Sequence, residues 1–186
     1  MTCYDGGMAG MRWVALLRGV NVAGHHRIAM ADLRQAMTDA GATDVATYIQ
    51  SGNLVFDAGT DDPEAAVTIV GDAVEAAAGF RVPAVVRTVP ELSRIADAHP
   101  DRDGAVPAKW LHVVLLDRVA DPTQAPDPER FRPDRLVVAG AELYLTYPEG
   151  VGRSKLTVAL LERAFDVVGT GRNLTTLRRL VDIGRS

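Results

Sequence analysis

The chain has 186 residues, 47% of them hydrophobic and 24% charged, a composition that excludes a disordered tail or a coiled coil and allows a sizeable core. Its formal net charge of −4 argues against a nucleic-acid partner, because neutralising phosphates calls for a basic face. No stretch approaches the roughly 20 consecutive apolar residues of a membrane span, and a lone cysteine, Cys3, suits a reducing compartment, so a cytoplasmic location is expected.

Residues 1–10 lack the basic region and apolar run of a signal peptide and are expected to form a disordered extension. Trp13 to Leu17 is a short apolar run that predicts a buried strand, ending in the glycine-punctuated loop Arg18-Gly-Val-Asn-Val-Ala-Gly24. Leu33, Ala36, Met37 and Ala40 recur at helical spacing, with Gly41 as a C-cap. Val45 to Phe56 predicts two extended pieces around Gln50-Ser-Gly-Asn53, where Gly52 supplies the backbone freedom of a turn or bulge. Pro63 to Ala78 predicts an amphipathic helix opened by a proline and closed by Gly79. Val82 to Val86 predicts a strand and Pro90 to Ala98 a helix, stopped by His99-Pro100. The order β-α-β-β-α-β is that of a ferredoxin-like plait.

The second half repeats the theme loosely. Trp110 to Leu116 predicts a strand, and the prolines between Asp121 and Pro133 predict a loop. Arg135 to Val138 and Glu142 to Thr146 predict a hairpin around Ala139-Gly-Ala141. Leu156, Leu160 and Ala164 mark one helix, and Asn173 to Val181 a last one with Asn173 as its N-cap. The expected fold is therefore α+β, two ferredoxin-like (alpha-beta plait) halves with antiparallel sheets. The halves would cover residues 11–98 and 99–186, the second carrying the terminal helices.

Ala15-Leu-Leu-Arg-Gly-Val-Asn-Val-Ala-Gly24 and Thr47-Tyr-Ile-Gln-Ser-Gly-Asn-Leu-Val-Phe56 resemble the bacterial family of domain of unknown function 1697 (DUF1697). Tyr144-Leu-Thr-Tyr-Pro-Glu-Gly-Val-Gly152, Ser154-Lys-Leu156 and Thr170-Gly-Arg-Asn173 resemble its C-terminal signature, so the resemblance runs from about Arg12 to Val181. It implies paired ferredoxin-like plaits and supplies neither a reaction nor catalytic residues. Ala23 stands where the family often has glycine.

Polar and cationic residues gather at glycine-flanked junctions. Arg18 and Asn21 follow the first strand, Gln50, Ser51 and Asn53 sit at the central turn, and Arg153, Ser154 and Lys155 lead into a helix, as do Arg172 and Asn173. Helix entrances offer unpaired N–H groups to anions, and Arg or Lys beside them adds charge-assisted partners. All twenty cationic side chains except Lys109 and Lys155 are Arg, which makes Lys155 an unusual choice here. Arg18, Asn21, Ser51, Asn53, Ser154, Lys155, Arg172 and Asn173 are therefore the candidate ligand-binding residues, for a small phosphorylated or nucleotide-like anion. Each has a competing structural reading as a cap, turn or loop tie. An alternative is an enzyme on the same anion, with Lys155 or Tyr144 as acid or base; a second is a nucleic-acid or protein interaction module.

Several chemistries lack a signature. Gly150-Val-Gly-Arg-Ser-Lys155 departs from the spacing of a Walker loop, and no G-x-G-x-x-G opens a helix. His25, His26, His99 and His112 lack metal-ligand spacing, and no G-x-S-x-G elbow is present, so neither a metal nor a cofactor is expected. Nothing in the sequence sets an oligomeric state.

Overall fold

The computed structural model describes residues 11–22 and 26–186; Cys3, Ala23, His25 and the expected extension at 1–10 lie outside them. The first half runs β1 (Arg12–Leu17), α1 (Met30–Asp39), β2 (Thr43–Tyr48), β3 (Asn53–Asp57), α2 (Pro63–Ala78), β4 (Ala84–Thr88) and α3 (Val89–Asp97). The second runs β5 (Leu111–Leu116), β6 (Arg135–Ala139), β7 (Glu142–Thr146), α4 (Val158–Phe165), β8 (Gly169–Asn173) and α5 (Leu174–Arg185). The strands form two four-stranded antiparallel sheets, in the orders β2-β3-β1-β4 and β6-β7-β5-β8. Each sheet places its strands in the same relative order, so one topology occurs twice in an α+β fold.

Local chemistry accounts for most element ends. Asp62 accepts the Glu64 N–H ahead of Pro63, and Gly79 closes α2 at a φ of 75°. Thr88 and Glu91 form a reciprocal capping box at α3, and Asn173 accepts the Thr176 N–H to open α5. The first half spans its β1–β2 connection with α1; the corresponding stretch of the second half has only short 3-10 turns, Pro122–Gln124 and Pro128–Phe131. Its prolines withhold the N–H groups a helix would need.

Strand β8 departs from the sequence expectation, which ran Gly171 and Arg172 directly into the last helix. Gly169–Asn173 instead pairs antiparallel with β5, Val113 opposite Arg172 and Leu115 opposite Thr170. Two glycines in five residues read as a turn, but the close approach of β5 requires at least the first. A Cβ on Gly169 would meet Val114 and Leu116 side-chain carbons at 2.8 Å.

Each central strand is buried on both faces, which is why β1 reads as an unbroken apolar run. Trp13, Ala15 and Leu17 pack under α1 and α2 with Leu33, Met37, Val70 and Val74. Val114, Leu116, Leu143 and Leu145 pack beneath α4 with Leu161, Phe165 and Phe131. The remaining faces meet in a shared middle core. There Val14, Leu16 and Val55 join Leu111, Val113 and Leu115, with Tyr144, Leu92 of α3 and Leu177 and Leu180 of α5. The layers are helices, sheet, helices α3 and α5, sheet, helix. Among the described residues no helix is long and apolar enough to cross a membrane.

Candidate functional site

The sequence-selected residues fall into separate groups. At the seam between the halves, Arg172 on β8 reaches into the first half. Its Nε donates to Asn53 Oδ1 at 2.6 Å, and its Nη2 donates to the carbonyls of Leu17 and Ser51 at 2.8 Å each. Nη1 donates to Thr170 Oγ1 and the Gly171 carbonyl. Burial lowers its pKa to about 10. Asn53 is fully buried, and its Nδ2 donates to the Tyr48 carbonyl, so the Arg172 guanidinium and Asn53 tie the β2–β3 turn to β8. Ser51 contributes its carbonyl to this network.

Arg18 makes a second tie. It forms a two-pronged pair with Glu162 of α4, Nε to Oε1 at 2.7 Å and Nη2 to Oε2 at 2.5 Å, which raises its pKa. Glu162 Oε1 also accepts the Gly169 N–H. Asn21, at a φ of 55°, closes its own loop: its amide donates to the Ile28 and Gln50 carbonyls and accepts the Ile28 N–H. Asn173 is the cap of α5. Neither Arg18 nor Arg172 lines the hollow that contains Ser154 and Lys155.

That hollow, about 200 Å³, lies between the β5–β6 connection and the β7–α4 connection. Arg130, Arg132 and Asp134 come from the first wall, and Arg153, Ser154 and Lys155 from the second. Ser154 Oγ donates to Asp134 Oδ2 at 2.6 Å and accepts the Leu156 N–H at 2.9 Å, joining the walls. The buried Tyr147 hydroxyl donates to the Leu156 carbonyl at 2.9 Å and anchors the second wall on β7. Arg132 is paired with Glu129 at 2.7 Å, and the Arg130 guanidinium stands 6.0 Å from the Phe131 ring centroid. Arg130, Arg153 and Lys155 have no carboxylate within 4.0 Å among the described residues. Arg130 and Asp134 escaped sequence reasoning because they sit in a proline-rich stretch whose composition reads as plain loop; its density of mixed charge, Asp127 to Arg135, was the available signal.

A larger hollow of about 540 Å³ separates α1 from α2. Its floor is alanine and its rim is Asp32, Asp39 and Asp72, a field that repels anions. Tyr144, the alternative acid or base, is buried in the middle core edge-on to His99, with its pKa raised by burial. Among the described residues no group of three His, Cys, Asp or Glu side chains converges as a metal site.

Comparison with curated proteins finds no matching relative. The solved structure of the conserved bacterial protein SP0830 from Streptococcus pneumoniae is similar over 94% of this chain and 98% of its own, with a TM-score of 0.63 and 20% identity. That likeness concerns the fold. The family model described as "Protein of unknown function (DUF1697)" matches residues 11–144. It takes in the Arg18–Asn21 loop and the Ser51–Asn53 turn and ends before Ser154, short of the Val181 to which the sequence resemblance extends. The match covers well over half of the sequence, and the chain belongs to the DUF1697 family.

Proposed function

We propose that the protein binds a small phosphorylated compound, through its phosphate group, in the cleft between residues 130–134 and 149–155. The observation that carries this reading is the set of three cations, Arg130, Arg153 and Lys155, lining one hollow without a carboxylate partner among the described residues. Cations gathered this way repel one another, and a bound anion relieves the repulsion while gaining charge-assisted hydrogen bonds. Of the two acids in the lining, Asp134 already accepts the Ser154 hydroxyl. Arginine forks with a lysine point charge suit the several oxygens of a phosphate.

Size narrows the ligand further. At about 200 Å³ the cleft is smaller than pockets that enclose a whole drug-sized molecule, roughly 300–1,000 Å³. It takes the anionic group and leaves the rest of the compound at the protein surface.

The test is a thermal-shift series with inorganic phosphate, sugar phosphates, nucleotides and carboxylates on wild type, Lys155→Ala and Arg153→Ala. A ligand at 100 times its Kd stabilises by about 2.7 kcal/mol, which moves the melting temperature by a few degrees. A shift with phosphorylated compounds that shrinks in both variants supports the reading. No shift with any of them, or one unchanged in both variants, overturns it.

A further inference from the structure

Within the same cleft, the Ser154 side chain is held between two fixed partners. The Ser154 hydroxyl points its proton at a carboxylate, Asp134 Oδ2 at 2.6 Å, and its oxygen is fixed from the other side by the Leu156 N–H. Leu156 is itself held by the Tyr147 hydroxyl, which is buried in the core of the second sheet. A hydroxyl within hydrogen-bond reach of a base, in a cleft lined by cations that have no carboxylate partner among the described residues, has the parts of an oxygen nucleophile for an electrophilic phosphorus. Asp134 is part-exposed and in contact with the cleft, so a proton taken there can pass on to water.

We infer that Ser154 accepts a phosphoryl group, with Asp134 as the base, from a small phosphate compound whose leaving group departs as a stable anion, such as an acyl phosphate. The inference rests on the phosphate-binding reading of this cleft. In the step, Ser154 Oγ forms a bond to phosphorus as the bond from phosphorus to the leaving oxygen breaks. The electron pair of that broken bond leaves on the departing carboxylate. The hydroxyl proton passes to Asp134 Oδ2 and then to solvent. The products are phosphoserine at position 154 and a free carboxylate, with no change of oxidation state. Arg130, Arg153 and Lys155 offset the charge spread over the three phosphoryl oxygens, and positioning and electrostatics of that kind supply most of the catalysis in phosphoryl transfer.

A hydrogen bond that merely staples two loops makes a different prediction. The experiment incubates the full chain with acetyl phosphate and follows intact mass and peptide mapping. In parallel, binding of inorganic phosphate is read by phosphorus NMR line broadening. The expected result is a gain of one phosphoryl group at Ser154, at a rate that saturates with donor. Asp134→Asn keeps an oxygen to accept from Ser154 but is a far poorer base, so the rate should fall on the order of a hundredfold or more. Its melting temperature and phosphate broadening checked alongside show that the fold and the cleft persist. Ser154→Ala should gain nothing. Phosphate binding without mass gain, a gain mapped elsewhere, or a rate indifferent to Asp134→Asn would each overturn the inference and leave the binding reading standing. Absence of both binding and mass gain overturns the two together.

Discussion

The Nε of Arg172 donates to Asn53 Oδ1 at 2.6 Å, so a strand of the second sheet is bonded to the first residue of a strand in the other. Every nitrogen of that guanidinium is engaged, and its acceptors are neutral carbonyls, an amide and a hydroxyl. Removing the side chain leaves the carbonyls of Leu17 and Ser51 and the amide of Asn53 without it in a poorly solvated place. Arg172→Ala should cost about 2–3 kcal/mol of unfolding free energy. Arg172→Lys should recover only part of this, because an ammonium cannot span the same fork. Urea unfolding measures both; a loss below about 0.5 kcal/mol for the alanine variant would contradict the argument.

The Arg18–Glu162 pair has better geometry than its energy suggests. The Arg18 side chain is 43% exposed and Glu162 12%. Exposed pairs are worth about 0.2–1 kcal/mol, so Arg18→Ala should destabilise only within that range. Glu162→Ala removes the acceptor of the Gly169 N–H as well, at the start of β8. It should cost about 1 kcal/mol more than Arg18→Ala. Equal losses in the two variants would show that the Gly169 bond contributes nothing.

Gly184 offers a test of sign. Alanine inside a helix normally outperforms glycine by about 1 kcal/mol. On α5, however, a Cβ at 184 would collide with the branched carbons of Val89, which is buried at the start of α3. Gly184→Ala should therefore destabilise, by about 1–3 kcal/mol. The same change made in a Val89→Ala background should be neutral or favourable. Thermal unfolding of the four chains decides it, and a stabilised single variant would refute the close approach.

His99 couples stability to pH. It is 2% exposed; its Nε2 lies 3.3 Å from the Leu145 carbonyl and its Nδ1 accepts the Asp101 N–H. That arrangement uses the neutral ring, and burial lowers its pKa, as it does for His112. The unfolded chain takes up these protons more readily than the folded one. The stability from neutral His99 and His112 is thus complete above the unfolded value of about 6.5 and is lost as pH falls below it towards the folded values. The melting temperature should drop between about pH 7 and pH 5, and His99 should titrate by NMR below the free-histidine value. A His99 titration at or above about 6.5 would contradict this assignment.

The plait order of the first half was legible because its signals are local. The Trp13–Leu17 run, the helical spacing of Leu33 and Met37, the Asp62–Pro63 entrance and the Gly79 stop each speak within one turn of chain. β8 was not legible, since Gly169-Thr-Gly-Arg-Asn173 has the composition of a turn and is a strand only through its partner β5. The candidate residues show the same division. Their polarity and glycine flanks marked them, but whether a guanidinium faces solvent or a neighbouring carbonyl depends on tertiary placement. Arg18 and Arg172 met partners more than a hundred residues away in sequence. Ser154 and Lys155 lie in a cleft whose opposite wall, Arg130 to Asp134, gave no periodic signal at all.

The middle core has a further consequence. α3 and α5 lie against each other, and residues of both sheets pack in the same cluster with them. Cutting the backbone between residues 98 and 99 would leave Val14, Leu16, Val55 and Val85 with α3 but without α5, and Leu111, Val113 and Leu115 with α5 but without α3. Neither fragment retains a complete interior, so each alone is expected to be molten or aggregated, whereas the two expressed together should reassemble by complementation. A split protein of this kind would report the association of whatever partners are fused to its halves.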